Sequence, residues 1–292
     1  PAERVKSIPA LLGEADLVKT LQQLPGVAVG TEGMTGLYVR GGGADENLYL
    51  LDGNPVYHVN HLLGFFSAFN PDAIKNTRFY KGSFPAEYGG RLSSVVDVRM
   101  NDGNRQEYHG NISVGLLSAR ANLEGPIVKD RSSFNVSVRR TWLDLITGTA
   151  LAIINKNSDT KESFGYHFFD INAKVNHSFS ERSRAYLSFY MGQDAFRQGS
   201  KEKHEDSDDM FLWRWGNLIG SAGWNYVFGQ KLFGNLMVGY SRFRSHIRQE
   251  AKGYEIEGNR AERQSIKRDS RYKSEMEDLS VRLSVDYSPS MN

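Results

Sequence analysis

The chain has 292 residues, no cysteine and nearly balanced charge, 36 Lys and Arg against 34 Asp and Glu, for a formal net charge of +2. Such a length holds one large domain or two ordinary ones. The absence of cysteine excludes a disulfide scaffold, a thiolate metal site and a cysteine nucleophile, and the charge balance gives no pointer to nucleic acid. No window reaches the roughly 18 apolar residues of a transmembrane helix; the nearest, Leu143 to Ile154, is shorter and contains Asp144. A transmembrane strand needs only about 10 residues and leaves a weaker trace. With neither an initiator Met nor a signal peptide before Pro1, the sequence reads as a processed or truncated piece.

Composition changes near Asp102, which predicts one unit over 1–104 and another over 105–292. In the first, Leu11, Leu12, Ala15, Val18, Leu21 and Leu24 recur at helical spacing within Ile8 to Leu24, and Pro25-Gly26 stops the helix. Short strand-like pieces follow at Leu37 to Val39, Leu48 to Leu51, Thr77 to Tyr80 and Val95 to Met100, with a short helix over Phe65 to Ala73. This describes a small α+β globule. Glycines punctuate it: Gly41, Gly42 and Gly43, then Gly53, then Gly89 and Gly90 supply positive φ or close backbone packing, although each alone also fits an ordinary turn.

The second part is written in period two. Phe169, Ile171, Ala173 and Val175 alternate with Asp170, Asn172, Lys174 and Asn176, and Leu279 to Ser288 repeats the pattern. Eight strands are predicted, at about 108–117, 119–127, 133–142, 168–178, 184–194, 211–228, 232–246 and 278–288. Half-buried strands of a soluble β-sandwich alternate in the same way. Connection lengths separate the two: short turns near 128–132, 180–183 and 228–231 oppose long, mostly polar stretches at 143–167, 195–210 and 248–277, the asymmetry of an outer-membrane barrel. Trp142, Trp213, Trp215, Trp224 and Tyr226 near strand ends suit interfacial girdles and suit a soluble core equally. A globule of this size fits only the plugged lumen of a barrel of about 22 strands, so eight strands cannot enclose it and the chain reads as a fragment.

The ordered motifs Leu21 to Val27, Val39-Arg40-Gly41-Gly42, Leu51-Asp52-Gly53, Asn70 to Ile74, Tyr80-Lys81-Gly82 and Tyr88-Gly89-Gly90 span nearly all of residues 8 to 100. In this set the chain resembles the plug domain of TonB-dependent outer-membrane receptors, most closely the subgroup with an upstream carboxypeptidase-regulatory-like domain. Gly125-Pro126 and Arg139-Arg140-Thr141 resemble the first barrel strands. The resemblance implies an α+β plug followed by antiparallel transmembrane β-barrel strands in the Gram-negative outer membrane. It further implies that Arg40 and Lys81, with Arg91 as a third cation beside the glycine turns, latch the plug to the wall through carboxylates on strands outside this chain; Lys81 stands where many relatives carry Arg, which removes the bidentate fork.

By the same resemblance, ligand contacts fall on outward plug loops at 30–36, 43–47 and 57–61, with Glu32, Met34, Asp45, Glu46, His58, Asn60 and His61 at their tips. His58 and His61 sit three apart, a spacing that serves some metals, but such pairs more often hydrogen-bond within a loop, and neither a metal site nor a cofactor is assigned. The acidic run from Lys201 to Asp209 lacks the ligand order of an EF-hand and reads as a solvated external loop. Gly-x-Ser-x-Gly, His-Glu-x-x-His and Gly-x-x-x-x-Gly-Lys motifs are absent, and nothing places Asp52 beside Glu87 as an acid/base pair, so no enzyme is predicted. The expected function is plug-gated import of a scarce nutrient, whether siderophore, cobalamin, glycan or peptide. Its expected partners are a TonB-type energy-transducing protein, that small extracellular ligand, outer-membrane lipid and a possible surface lipoprotein. The alternative is a surface-exposed binding or adhesion protein without transport, with a soluble carbohydrate-binding sandwich third.

Overall fold

The structure is a computed structural model that describes residues 16–30, 35–203, 207–256 and 263–289. Helix α1 (Leu17–Gln22) starts where Asp16 Oδ1 accepts a hydrogen bond from Lys19 N at 3.1 Å. Asp16 thus satisfies one of the amides that a helix start leaves open. The part of the predicted helix before residue 16 lies outside the described residues. Two short strands, β1 (Val27–Ala28) and β2 (Tyr38–Val39), pair next to it.

Four strands make the sheet of the globule: β3 (Asn47–Leu51), β4 (Asn54–Pro55), β7 (Ile74–Tyr80) and β8 (Ser94–Met100), ordered β4-β3-β8-β7 with β3 and β8 parallel. Asp52 and Gly53 connect β3 to β4 with both φ values positive, 46° and 87°. That is the signature of a two-residue I′ hairpin, for which Asp-Gly is a preferred sequence. A small hairpin, β5 (Asn60–His61) with β6 (Phe66–Ser67), occupies part of the region predicted as helix. The helix fails there because Phe66 and Ser67 pair in the hairpin, and Asn70 and Pro71 then confine helical geometry to a single 3-10 turn at Pro71–Ala73.

The remaining strands build one antiparallel wall: β9 (His109–Val114), β10 (Ser118–Val128), β11 (Ser132–Thr141), β12 (Thr160–Ser180), β13 (Ser183–Glu202), β14 (Asp208–Val227), β15 (Leu232–Ile256) and β16 (Arg263–Tyr287). They follow chain order, and β9 and β16 each pair on one side only among the described residues. No described helix is long and apolar enough to cross a membrane.

Which face the wall buries separates the two readings of the alternation. On β11, Asn135, Ser137 and Arg139 are 0, 0 and 2% exposed, whereas Val136 and Val138 are 38 and 42% exposed. On β12 the polar set Asp170, Asn172, Lys174 and Asn176 is buried and Val175 is exposed. A soluble sandwich buries the opposite set. Here the polar face covers the globule and the apolar face, including Leu187, Phe189, Val238, Val281 and Leu283, points outward. That is the polarity of a transmembrane barrel strand. The core of the globule runs into the wall, since Tyr190 and Ile219 pack with Val18, Leu37, Tyr49 and Val98.

Two sequence expectations need correction. The stretches at 143–167, 195–210 and 248–277 are largely structured: α2 (Leu143–Ile154) and the start of β12 fill the first, and strand extensions fill much of the other two. Those extensions alternate polar with polar, so period-two hydrophobicity cannot reveal them; cross-strand pairs such as Arg248 with Asp269, at 3.2 Å, join them instead. The second correction concerns the girdle. Trp213 and Trp215 face the plug side, their rings 4.1 Å apart and Trp215 buried, while Trp224 lies on the outward face.

The lipid-facing assignment predicts that Leu187→Arg and Val238→Arg each cost about 2–4 kcal/mol when the full-length protein is unfolded from bilayers by urea. A cost within about 0.5 kcal/mol, usual for a soluble surface, would show that this face meets water.

Candidate functional site

The plug meets the wall through a buried charge cluster centred on His61. This residue ends β5, and its ring stacks on Phe168 of β12 with centroids 4.2 Å apart and planes 3° from parallel. Nε2 lies 2.8 Å from Asp170 Oδ1 on β12, and Nδ1 lies 2.6 Å from Asp194 Oδ2 on β13. Asp170 also accepts from Arg139 Nε at 2.6 Å and from the Tyr190 hydroxyl at 3.2 Å. Arg139 reaches onward and donates from Nη2 to the carbonyl of Ser67 on β6, at 2.8 Å. Asp194 accepts from the Tyr166 hydroxyl and from the backbone N–H of Leu62, the latter at 3.3 Å.

Both cations and both carboxylates are almost fully buried, with exposures of 3% or less. Isolated charges at such depth are costly, so the cluster is stable only when the two signs balance. Burial alone pulls the imidazole pKa down, but Asp170 and Asp194 outweigh it and raise His61 to about 9. The ring is therefore an imidazolium at neutral pH, donating from both nitrogens, and two positive groups face two negative ones.

Further contacts extend the seam. Arg120 on β10 pairs with Asp72 at 2.8 Å, and Asn70 Nδ2 donates to Ser137 Oγ at 2.8 Å. Lys174 reaches Asp52 of the β3-β4 hairpin and Asp102, each at 3.2 Å. Asn217 Nδ2 donates to the carbonyl of His58 at 2.6 Å, and the Tyr57 hydroxyl donates to Asp278 at 3.2 Å. At Gly239 the wall comes so close that a Cβ would fall 1.5 Å from Asn54 Oδ1, so only glycine admits the Asn54 side chain there.

The structure separates the residues named from sequence. His61, expected at a ligand-facing tip, is buried in the seam. His58 is largely enclosed, with Phe243 and Trp215 ring centroids 5.7 and 6.1 Å away, and burial lowers its pKa. Asn60 accepts from the Thr35 hydroxyl, and Glu46 Oε2 accepts from Gly43 N at 2.9 Å to close the 3-10 turn at Ala44–Glu46. Asp45 is exposed beside it, and Glu32 and Met34 lie outside the described residues. The expected latch cations sit elsewhere: Lys81 donates to the carbonyl of Pro25 at 2.8 Å, Arg91 donates to that of Gly90 at 2.9 Å, and Arg40 lies beside Gly82. The contacts found for these three lie within the globule. Of the turn glycines, Gly41, Gly53 and Gly90 have positive φ, Gly42 abuts Ser93 where a Cβ would clash, and Gly89 shows neither constraint. Asp52 is buried beside Lys174 while Glu87 is exposed.

Asp170, Asp194 and Arg139 escape sequence reasoning as a set because their partner His61 is 109 residues from Asp170 and 133 from Asp194. The one sequence signal is a charged residue on the polar stripe of a membrane-type strand. Removing one member strands the others, so Asp170→Asn is expected to cost about 3–5 kcal/mol of plug docking, read as faster amide exchange in β3 and β8. Wild-type protection is expected to hold below the unfolded histidine value of about 6.5 and to fall as pH rises to about 9, because the raised folded pKa contributes stability only while the ring is charged. His61→Gln removes that slope; a slope that survives the substitution assigns it to another group.

Residues 6–96 match the family described as the TonB-dependent receptor plug domain. A search of curated protein sequences returns no match. Among solved structures, the unliganded ferric citrate transporter FecA aligns with a TM-score of 0.52 at 10% identity, over 98% of this chain and 53% of that one. The outer-membrane transporter YddB from Escherichia coli aligns at 0.50 and 10%, over 98% and 54%. The siderophore receptor PirA from Pseudomonas aeruginosa gives 0.44 and 15%, over 98% and 60%. The chain thus spans little more than half the length of these structures. Its fold is a TonB-dependent receptor plug domain followed by antiparallel strands of an outer-membrane β-barrel.

Proposed function

We propose that the chain is the plug, residues 1–104, and part of the barrel wall, residues 105–292, of a transporter that imports a scarce nutrient across the outer membrane under the drive of a TonB-type protein. The observation that carries this reading is the seam itself: over much of their contact a separate globule is held against the polar face of the wall by buried charges and hydrogen bonds. A permanent structural insert is better held by apolar packing, which is at least as stabilising as buried ion pairs. A stopper that must leave on demand is better held by contacts that fail together once one is lost. Ligand binding at Asp45, Glu46 and Asn60, and at Glu32 and Met34 as the family resemblance implies, biases the plug toward a state that the energy-transducing partner recognises. Arg40, Lys81 and Arg91 would meet carboxylates on wall strands beyond these eight. Membership of the subgroup with an upstream carboxypeptidase-regulatory-like domain, use of a surface lipoprotein and the choice among siderophore, cobalamin, glycan and peptide are parts of the same proposal. No catalytic step is assigned.

The test is growth of a strain whose supply of each of these four nutrient classes in turn depends on the full-length gene. Uptake of one class is expected, and it should vanish when the energy-coupling gene is deleted. Uptake that persists without coupling, or failure with all four, overturns the reading. The double variant His61→Ala with Asp194→Asn should admit a large antibiotic that the intact outer membrane excludes; unchanged resistance would show that the seam does not hold the stopper.

A further inference from the structure

The outward face of β13 to β16 changes character within a few residues. The pairing register places Leu187, Ala222, Val238 and Val281 in one row across the four strands, and Phe189, Gly220, Tyr240 and Leu279 in the next. Immediately beyond, Arg242, Arg244 and Arg214 take over on β15 and β14, with His246 beside Arg214. These four line a groove of about 310 Å³ whose middle row holds Gly216, a position without a side chain.

The groove carries excess positive charge. Glu275 faces Arg242 at 4.0 Å and also pairs with Arg244. Glu277, next to Arg242 in the register, accepts from the Tyr240 hydroxyl at 3.0 Å. Arg214 has no ion-pair partner among the described residues, and His246 Nε2 is buried without a hydrogen-bond partner. Lys273 follows His246 across the next pairing, and the row beyond it adds Arg197, Arg248 and Arg271. Asp269, which pairs with Arg248 and Arg271, and Glu250, which also pairs with Arg248, lie one outward row farther on.

Its height is also informative. The short turns after β13's partner strands mark the Tyr226 end of β14 as periplasmic, so the groove lies toward the external end. From Tyr226 to Leu218, at about 3.3 Å per residue and about 40° of tilt, β14 climbs about 20 Å. That nearly exhausts an apolar band of about 25 Å. The cations therefore stand where hydrocarbon gives way to headgroups in the external leaflet. Guanidinium groups suit phosphate there because their fixed fork matches its oxygens and they shed water more readily than ammonium groups.

We infer that the groove of Arg214, Arg242, Arg244 and His246 binds the phosphorylated headgroup of an outer-leaflet glycolipid, with the acyl chains lying on the Leu187 to Val281 row below. The inference rests on the outward face meeting lipid. It explains both the unpaired Arg214 and the abrupt change from apolar to basic rows on one continuous face.

The experiment uses the full-length protein in non-ionic detergent, mixed with bisphosphorylated lipid A, with enzymatically dephosphorylated lipid A or with inorganic phosphate, and counts bound molecules by native mass spectrometry. Retention of the bisphosphorylated lipid is expected, at least tenfold weaker after Arg214→Gln, Arg242→Gln and Arg244→Gln are combined and similarly weaker for the dephosphorylated form. Arg140→Gln, which removes another outward cation, should change nothing. Amide exchange at β3 and β8 checks that the triple variant keeps its plug docked, and should it fail, each single Arg→Gln variant must still lower retention. Equal retention by the variants, or by the dephosphorylated lipid, overturns the site. Inorganic phosphate bound as well as the lipid replaces it with a free-anion site. A protein that carries no detergent belt in the same spectra overturns the lipid-facing reading beneath it, a distinct result from loss of headgroup selectivity.

Discussion

A wall that buries its polar face must find polar partners on whatever it encloses. In this protein that demand fixes the plug surface: Asp52, Asn54, His61, Asn70 and Asp72 are all buried. Each of them has a hydrogen-bond or ion-pair partner on the wall. A soluble domain of this size would place apolar side chains at such positions. The plug keeps its apolar core around Val18, Leu37, Val96 and Val98, where Tyr190 and Ile219 of the wall join it, and turns polar and charged groups toward the rest of the wall. Stability of the seam then depends on pairing more than on apolar area.

Pairing of this kind is strong against small disturbance and weak against the loss of a partner. The His61 cluster shows why. Arg139 holds Asp170 and the carbonyl of Ser67 together, and His61 joins Asp170 to Asp194, so one set of four charges ties β5 and β6 of the plug to β11, β12 and β13 of the wall. Displacing β5 removes the imidazolium from between two carboxylates that then face each other with only Arg139 to compensate. Hydrophobic packing has no comparable threshold, since it scales roughly with area. A seam that tolerates thermal motion yet opens under a directed pull is well served by the former.

Much of this architecture is legible in the sequence, but unevenly. The eight wall strands follow from period two, and the hairpin at Asp52-Gly53 follows from turn chemistry, because both are local codes. The inward and outward faces are not local: alternation of Phe169 with Asp170 is compatible with either face buried until the globule is in place. Strand extensions such as Arg248 to Gly253 are mostly polar on both faces and read as loops. His61 is the instructive case. Position in an outward loop next to His58 suggests a ligand or metal role, whereas the partners that define it lie on β12 and β13, at separations no window analysis reaches. Only the likeness to a family points to Arg40, Lys81 and Arg91 as latches, and among the described residues no ion pair joins them to a carboxylate of the eight strands.

The seam and the basic groove occupy opposite faces of the same strand. Asp194 points inward to His61, while its neighbours Gln193 and Ala195 lie on the outward rows with Gly216, Arg244, Arg214 and His246. Because side chains alternate strictly, sliding β13 by one residue would turn Asp194 toward lipid and aim Ala195 at His61. Both outcomes are unfavourable, one through an unpaired charge in a low-dielectric setting and the other through an uncompensated imidazolium. A single register thus satisfies two unrelated constraints at once, plug docking on one face and a headgroup level on the other. A pull on the plug through His61 would accordingly meet a strand held in place from both sides, and the contact that yields first is the charge seam rather than the wall.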